Sequence, residues 1–349
     1  MNLLAGNRHP NKNFGNIVTG WGQKKQDRDD EFLNKICDYF ISRCNETLSD
    51  NSDIWDDIVI HHQQFINLVT QRDLNGLHDM LSEVFKSSLT IGISGGETSF
   101  QNTMLSDSAA RDNWAFSIFD KLLSLAEYAG VIEIFWLEVY MYNQYYDNYL
   151  KKKPEVFLAA LSEKYQFDIS SPKNVGGQFG ISTDYGIYSE RDVLALGTAL
   201  RIFELYKNNR DINICEIGGG AGHLAYYLYK MGFKNISIVD LPTVSVLQMY
   251  FLGMNIGQDK IKHLAPSEFT GKYDLVINCD SMPEMNINTA TNYCNIIRDN
   301  AKYFISVNTE HATHRTFWVN QICDMERVNR NLFMFRQGYV IEEWKPRNE

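Results

Sequence analysis

Ile212-Asn213-Ile214-Cys215-Glu216-Ile217-Gly218-Gly219-Gly220-Ala221-Gly222-His223-Leu224-Ala225-Tyr226-Tyr227-Leu228 decides the fold of this chain. An apolar, β-branched run leads to an acidic residue, then to clustered glycines, then to an amphipathic helix. That is a strand–turn–helix unit. Glycines allow a sharp turn and let a ligand lie against main-chain atoms. The free N–H groups at the start of the next helix face the same place. The spacing then separates ligand classes. A dinucleotide fingerprint needs G-x-G-x-x-G/A. Counted from Gly218, the third slot is His223, too large for close helix–strand packing. The pattern present is E-x-G-x-G-x-G, from Glu216 to Gly222.

Working outward, Ile236-Ser237-Ile238-Val239-Asp240-Leu241-Pro242 reads as a second short strand ending in an acidic residue. In a doubly wound sheet that position lies beside the first glycine turn, where a carboxylate can accept both hydroxyls of a ribose. Tyr273–Asp280 and Ala301–Asn308 are two further strand-like runs. Strands alternating with helical stretches argue for a parallel α/β sheet. The tail Asn331–Trp344 reads as two short strands around Gln337-Gly338, after a helix near Phe317–Val328.

The first half has a different texture. Residues 1 to about 30 are polar and read as an irregular arm or a segment lying on another subunit. From Glu31 to about Tyr165 the apolar residues recur at helical spacing, as in Phe32, Ile36, Tyr39, Phe40 and in Phe116, Phe119, Leu122, Leu123, Ala126. Gly130–Tyr142 is the most apolar run. It contains Glu133 and Glu138, is too short to span a bilayer, and reads as a core helix. His61-His62 reads as part of a helix surface. Between Ser170 and Tyr188 the chain turns rich in Gly, Ser and Asn, fitting either a domain connection or a lid. A helix from about Glu190 to Lys207 then leads into the first strand.

Composition excludes several classes. With 349 residues, 44% of them hydrophobic, two domains and an ample core fit. A net charge of −10, with Lys151–Lys153 the basic cluster of note, argues against binding nucleic acid. The six cysteines form no C-x-x-C pair, which points to reduced thiols rather than a disulfide framework or zinc site. No apolar run follows the N-terminus, so a cytoplasmic location is expected.

Glu216–Gly222, Asp240–Pro242 and Asn278-Cys279-Asp280-Ser281-Met282-Pro283-Glu284-Met285 together resemble the class I S-adenosylmethionine-dependent methyltransferases, and among them the bacterial sugar O-methyltransferases. The resemblance is strong over about residues 213–308. It implies a Rossmann-like sheet, mostly parallel with one antiparallel strand, over 188–349. A mainly helical N-terminal domain, 1–187, precedes it and serves substrate recognition or oligomerisation. It also implies S-adenosylmethionine as cofactor and S-adenosylhomocysteine as product. The cofactor residues expected are Glu216, Gly218, Gly220, Gly222, Asp240, Leu241, Ser267 and Asn278. No acidic residue occupies Lys262–Ser267, where many such enzymes hold the adenine.

Methyl transfer from a sulfonium is an in-line displacement, and an alcohol acceptor needs help losing its proton. Candidates follow the fourth and fifth strands: Asp280, Glu284 and His311. A neutral imidazole suits a base near neutral pH, so His311 is the first choice. Glu284 can instead be the base or hold substrate hydroxyls, and Asp280 can touch cofactor or substrate. His311 and His314 have a spacing that metal ligands sometimes use; no metal is assigned. The expected partner is a small sugar or sugar-nucleotide substrate, the helical domain's Tyr and Trp residues offering faces for its rings. A homo-oligomer stays open. So do methylation of a non-sugar O- or N-acceptor and a non-catalytic cofactor-binding role. His223 disfavours a NAD-linked oxidoreductase.

Overall fold

The computed structural model describes residues 17–24, 27–44, 54–134, 146–310 and 317–347. Helices dominate the first half: α1 Asp30–Arg43, α2 Ile54–Val59, α3 Gln63–Thr70, α4 Leu74–Ser82, α5 Thr98–Ser106, α6 Ser108–Tyr128 and α7 Pro154–Tyr165. Local chemistry sets their limits. The Asp29 carboxylate caps α1 through Phe32 N–H, Asp107 caps α6 through Ala109 and Ala110, and Pro154 opens α7.

A small antiparallel sheet follows, of β1 Thr19–Trp21, β2 Phe179–Thr183 and β3 Gly186–Tyr188. The segment expected as linker or lid is therefore mostly a hairpin, Ile181 pairing with both Thr19 and Tyr188. Its glycines serve close packing: a Cβ on Gly180 would fall 2.1 Å from the Tyr188 carbonyl oxygen. Residue 62 is a second correction. His62 is fully buried, not on a helix surface, and burial pushes its imidazole down to about 4. Most of the core helix expected over Gly130–Tyr142, the arm before residue 17, His311 and His314 lie outside the described residues.

The second half is a seven-stranded sheet. Its strands are β4 Asn213–Ile217, β5 Asn235–Val239, β6 Lys262–Leu264, β7 Leu275–Cys279, β8 Phe304–Thr309, β9 Glu326–Leu332 and β10 Tyr339–Lys345. Their order is β6-β5-β4-β7-β8-β10-β9. β4 runs parallel to both β5 and β7, and β7 parallel to β8. β10 alone runs antiparallel to its neighbours β8 and β9. The sheet is Rossmann-like, mostly parallel with one antiparallel strand, as expected. Helices α8 Glu190–Tyr206, α9 His223–Lys230, α10 Pro242–Ile256, α11 Ile287–Asn300 and α12 Val319–Ile322 connect or flank the strands. The helix expected over Phe317–Val328 is only the four residues of α12, because Glu326 already begins the edge strand β9.

Strand order reverses around β4, so a crevice opens at the carboxyl ends of β4 and β7, the usual ligand position in open α/β sheets. One buried cluster joins the two halves, from Phe32 and Phe119 to Ile214, Phe251 and Tyr339. Phe32 of α1 stacks on Tyr250 of α10, ring centroids 6.2 Å apart. A Cβ on Gly253 would stand 2.4 Å from the Phe32 ring. Among the described residues no helix is long and apolar enough to cross a membrane.

Candidate active site

β4 delivers Glu216 and Ile217 to the crevice, and the chain turns at once. Gly218 has φ +71, and a Cβ there would fall 2.0 Å from Ser281 Oγ, so a side chain would drive the β7 loop away. Its N–H donates to the Val239 carbonyl at 2.9 Å, tying the turn to β5. Gly222 caps α9 with φ +96 and faces Leu252 of α10, where a Cβ would sit 3.0 Å from Cδ1. Between them Gly219 and Gly220 present main chain, not side chains, to a cavity of about 360 Å³. His223, in the third fingerprint slot, is buried against Phe251, ring centroids 4.8 Å apart. Burial lowers its pKa, and its Nε2 lies 3.3 Å from Gln178 Oε1.

Two carboxyl groups flank this turn. Burial, and then the charge of Asp240, push Glu216 up to about 8. Burial pushes Asp240 up to about 7, against the stabilising N–H groups of Leu241 and Gln248. Leu241 N–H donates to Asp240 Oδ1 at 2.8 Å. Gln248 Nε2 donates to Asp240 Oδ2 at 2.7 Å and to the Gly220 carbonyl at 3.0 Å, bracing turn and carboxylate together. Glu216 Oε2 and Gln248 Oε1 are buried without a hydrogen-bond partner. Buried acceptors left unpaired are costly and mark places where a donor belongs.

The β7 side carries the other acids. Asp280 adopts φ +70, a left-handed conformation uncommon outside glycine. Tyr339 OH donates to its Oδ1 at 2.6 Å and Arg336 Nη1 to its Oδ2 at 2.7 Å. Glu284 accepts from Trp55 Nε1 at 3.0 Å, which brings α2 over the sheet edge. Arg191, in the first turn of α8, lines the cavity with its guanidinium 4.0 Å from Asp280.

The structure thus gathers Glu216, Gly218, Gly220, Asp240, Leu241, Asp280 and Glu284 on one cavity wall. Three expected cofactor residues are not on it. Gly222 serves helix packing. Ser267 is exposed, and the wall is formed by Pro266 instead. Asn278 is fully buried, donating to the Ile217 carbonyl at 2.9 Å and to Ser281 Oγ at 2.5 Å while accepting from Asn308, so it ties strand ends together. His311 is outside the described residues. Sequence reading missed Gln248, Arg191, Trp55, Arg336 and Tyr339. Gln248 had a legible signal, as a lone amide in the apolar middle of α10. Among the described residues no group of three His, Cys, Asp or Glu is placed to hold a metal ion.

No family model and no curated protein matches the chain. Solved structures do. The chain is similar to the magnesium protoporphyrin IX methyltransferase of Synechocystis with bound S-adenosylmethionine, at 15% identity over 44% of this chain and 81% of that one, TM-score 0.38. It is similar to the 1,6-didemethyltoxoflavin-N1-methyltransferase of Burkholderia thailandensis with bound S-adenosylhomocysteine, at 15% identity over 44% and 79%, TM-score 0.37. A glycopeptide N-methyltransferase in complex with S-adenosylhomocysteine matches at 12% identity over 43% and 90%, TM-score 0.35.

Proposed function

We propose that this protein is an S-adenosylmethionine-dependent O-methyltransferase acting on a hydroxyl of a sugar or sugar-containing precursor, as a step in making surface polysaccharide. One observation carries the reading. The Gly218–Gly220 turn opens onto the cavity at the carboxyl ends of the parallel strands β4 and β5, where Glu216 and Asp240 line it. The residues present fit the cofactor. Glu216, in the cavity lining, has an unpartnered Oε2 that offers an acceptor to an ammonium or hydroxyl donor. Asp240, beside the turn, is placed for ribose hydroxyls. The Arg191 guanidinium suits the cofactor's carboxylate.

When bound, the cofactor supplies an electrophilic methyl group on a sulfonium. The chain's own residues must then align the acceptor oxygen, exclude water and take a proton. Asp280 is clamped on both oxygens by Arg336 and Tyr339, which makes it a strut for the C-terminal loop rather than a base. We assign proton removal to Glu284 or to His311, and substrate hydroxyls to whichever of the two is not the base.

The test has two arms. Calorimetry should show S-adenosylhomocysteine binding and no NAD binding. A mass-based methyl-transfer screen over free and nucleotide-activated sugars should then find a methylated hydroxyl. NAD binding in place of S-adenosylhomocysteine overturns the cofactor; transfer to amines and to no sugar overturns the acceptor.

A further inference from the structure

A second cavity, of about 190 Å³, adjoins the first. Gly92, Ile93, Ser94 and Arg191 line both, so this loop and side chain form a shared wall. Phe100, Trp114 and Phe179 give the second cavity an aromatic wall. Phe100 meets Trp114 edge-to-face at 5.2 Å between ring centroids, and Phe179 edge-to-face at 6.3 Å. Glu97 and Glu190 add carboxylates to the lining. Glu97 Oε1 accepts from Gly92 N–H at 3.2 Å, and Glu190 pairs with Lys121 at 3.0 Å. Buried Gln178, also in the lining, is held by Ser189 at 2.7 Å and by Asp192. Protein interiors are close-packed, and ionisable groups around an unfilled space are not what core filling produces.

The chemistry of this lining selects a ligand. Aromatic rings pair with apolar ring faces, and carboxylate oxygens accept from hydroxyls. Arg191, and the Lys121 paired with Glu190, offset the two carboxylates, so the lining holds little net charge to attract either a phosphate or a strong cation. We infer that the second cavity binds a further saccharide ring of the acceptor, so that the substrate is a glycoside of two or more rings and not a nucleotide-diphosphate sugar. The inference rests on the methyl-transfer reading of the main cavity.

Its test uses the full chain saturated with S-adenosylhomocysteine. Methyl glycosides of common hexoses, disaccharides ending in the same hexoses, and uridine-diphosphate hexoses are compared by saturation-transfer NMR. The same compounds are compared as methyl acceptors by mass when S-adenosylmethionine replaces the product. A disaccharide should bind roughly tenfold tighter than the methyl glycoside of its terminal sugar, the scale of one good aromatic contact. Trp114→Ala should remove most of that ratio, and Glu97→Gln, which replaces a charged acceptor with a neutral one, should lower it roughly two- to threefold. Glu97→Gln lies on a half-buried loop and keeps the test valid if the tryptophan variant fails to fold. Absence of saccharide binding, a ratio unchanged in a folded variant, or preference for the uridine-diphosphate sugars overturns the inference. Failure of the wild type to bind S-adenosylhomocysteine removes the methyl-transfer reading as well; binding of that product without saccharide discrimination removes only the second ring.

Discussion

Glu216→Gln isolates the buried acid at the end of β4. The substitution keeps shape and removes the ionisation. In the folded chain Glu216 is raised from 4.5 to about 8, by burial first and Asp240 second. Between those values the folded chain holds a proton that the unfolded chain has released. Its stabilising contribution is fully present below the unfolded value and is lost as pH rises through about 8. From about pH 6 to about pH 8 one proton sets a ceiling of about 3 kcal/mol, and water reaching the open cavity reduces this to roughly 1–2 kcal/mol. The assay is urea unfolding of the ligand-free protein at a series of pH values and constant ionic strength. Wild type should lose stability across this window, while Glu216→Gln should lose much less, keeping only the contribution of Asp240. Calorimetry in two buffers of different ionisation enthalpy should also show S-adenosylhomocysteine releasing a proton near neutral pH from wild type, and fewer from the variant. Parallel stability curves for the two proteins would refute the argument that Glu216 is protonated in the folded apoprotein.

Further outcomes are expected at the glycine turn, at Asp240 and at the two candidate bases. Gly220→Val should abolish S-adenosylhomocysteine binding by putting a side chain where main chain now lines the cavity, and Asp240→Ala should weaken it by about 1.5–3 kcal/mol, as calorimetry will read; unchanged affinity removes Asp240 from the ribose role. His311→Ala and Glu284→Gln should separate the two bases: the one that takes the proton should cost roughly 10²–10⁴ in kcat at unchanged cofactor affinity. If magnesium restores activity lost to a chelator, both histidines need reassignment. Gly222→Ala should destabilise the fold by about 1–3 kcal/mol in urea unfolding, through its left-handed backbone and the approach to Leu252; a stability equal to wild type would show that α9 can shift on α10.

The sheet was legible because its strands are buried on both faces. Ile212–Ile217, Ile236–Val239, Tyr273–Cys279 and Ala301–Asn308 are mainly apolar runs, and the polar residues at or near their ends mark the crevice. Glu216, Asp240, Asp280 and Glu284 could therefore be placed on one edge before any contact was known. Other features depend on partners distant in sequence. Asn278 reads as a cofactor residue at a strand end, yet its direction is set by the Ile217 carbonyl and Asn308. Gly222 belongs to the motif by spacing, but Leu252 decides its use. Trp55 carries no local signal for its contact with Glu284, 229 residues away. The hairpin at β2–β3 was hidden because Gly180 answers a backbone approach by Tyr188, a partner beyond its local pattern, while Gly186 takes the positive φ, +111, of the turn.

The Phe32 ring seated over Gly253 bears on how such a protein could be rebuilt. Gly253 lies in α10, the helix whose Gln248 braces the glycine turn and Asp240. Replacing the helical half with an unrelated one would remove that ring and leave the Gly253 face of α10 unfilled. A recombinant would need either α1 carried along with the sheet or a bulky aromatic supplied at the same spot by the incoming segment.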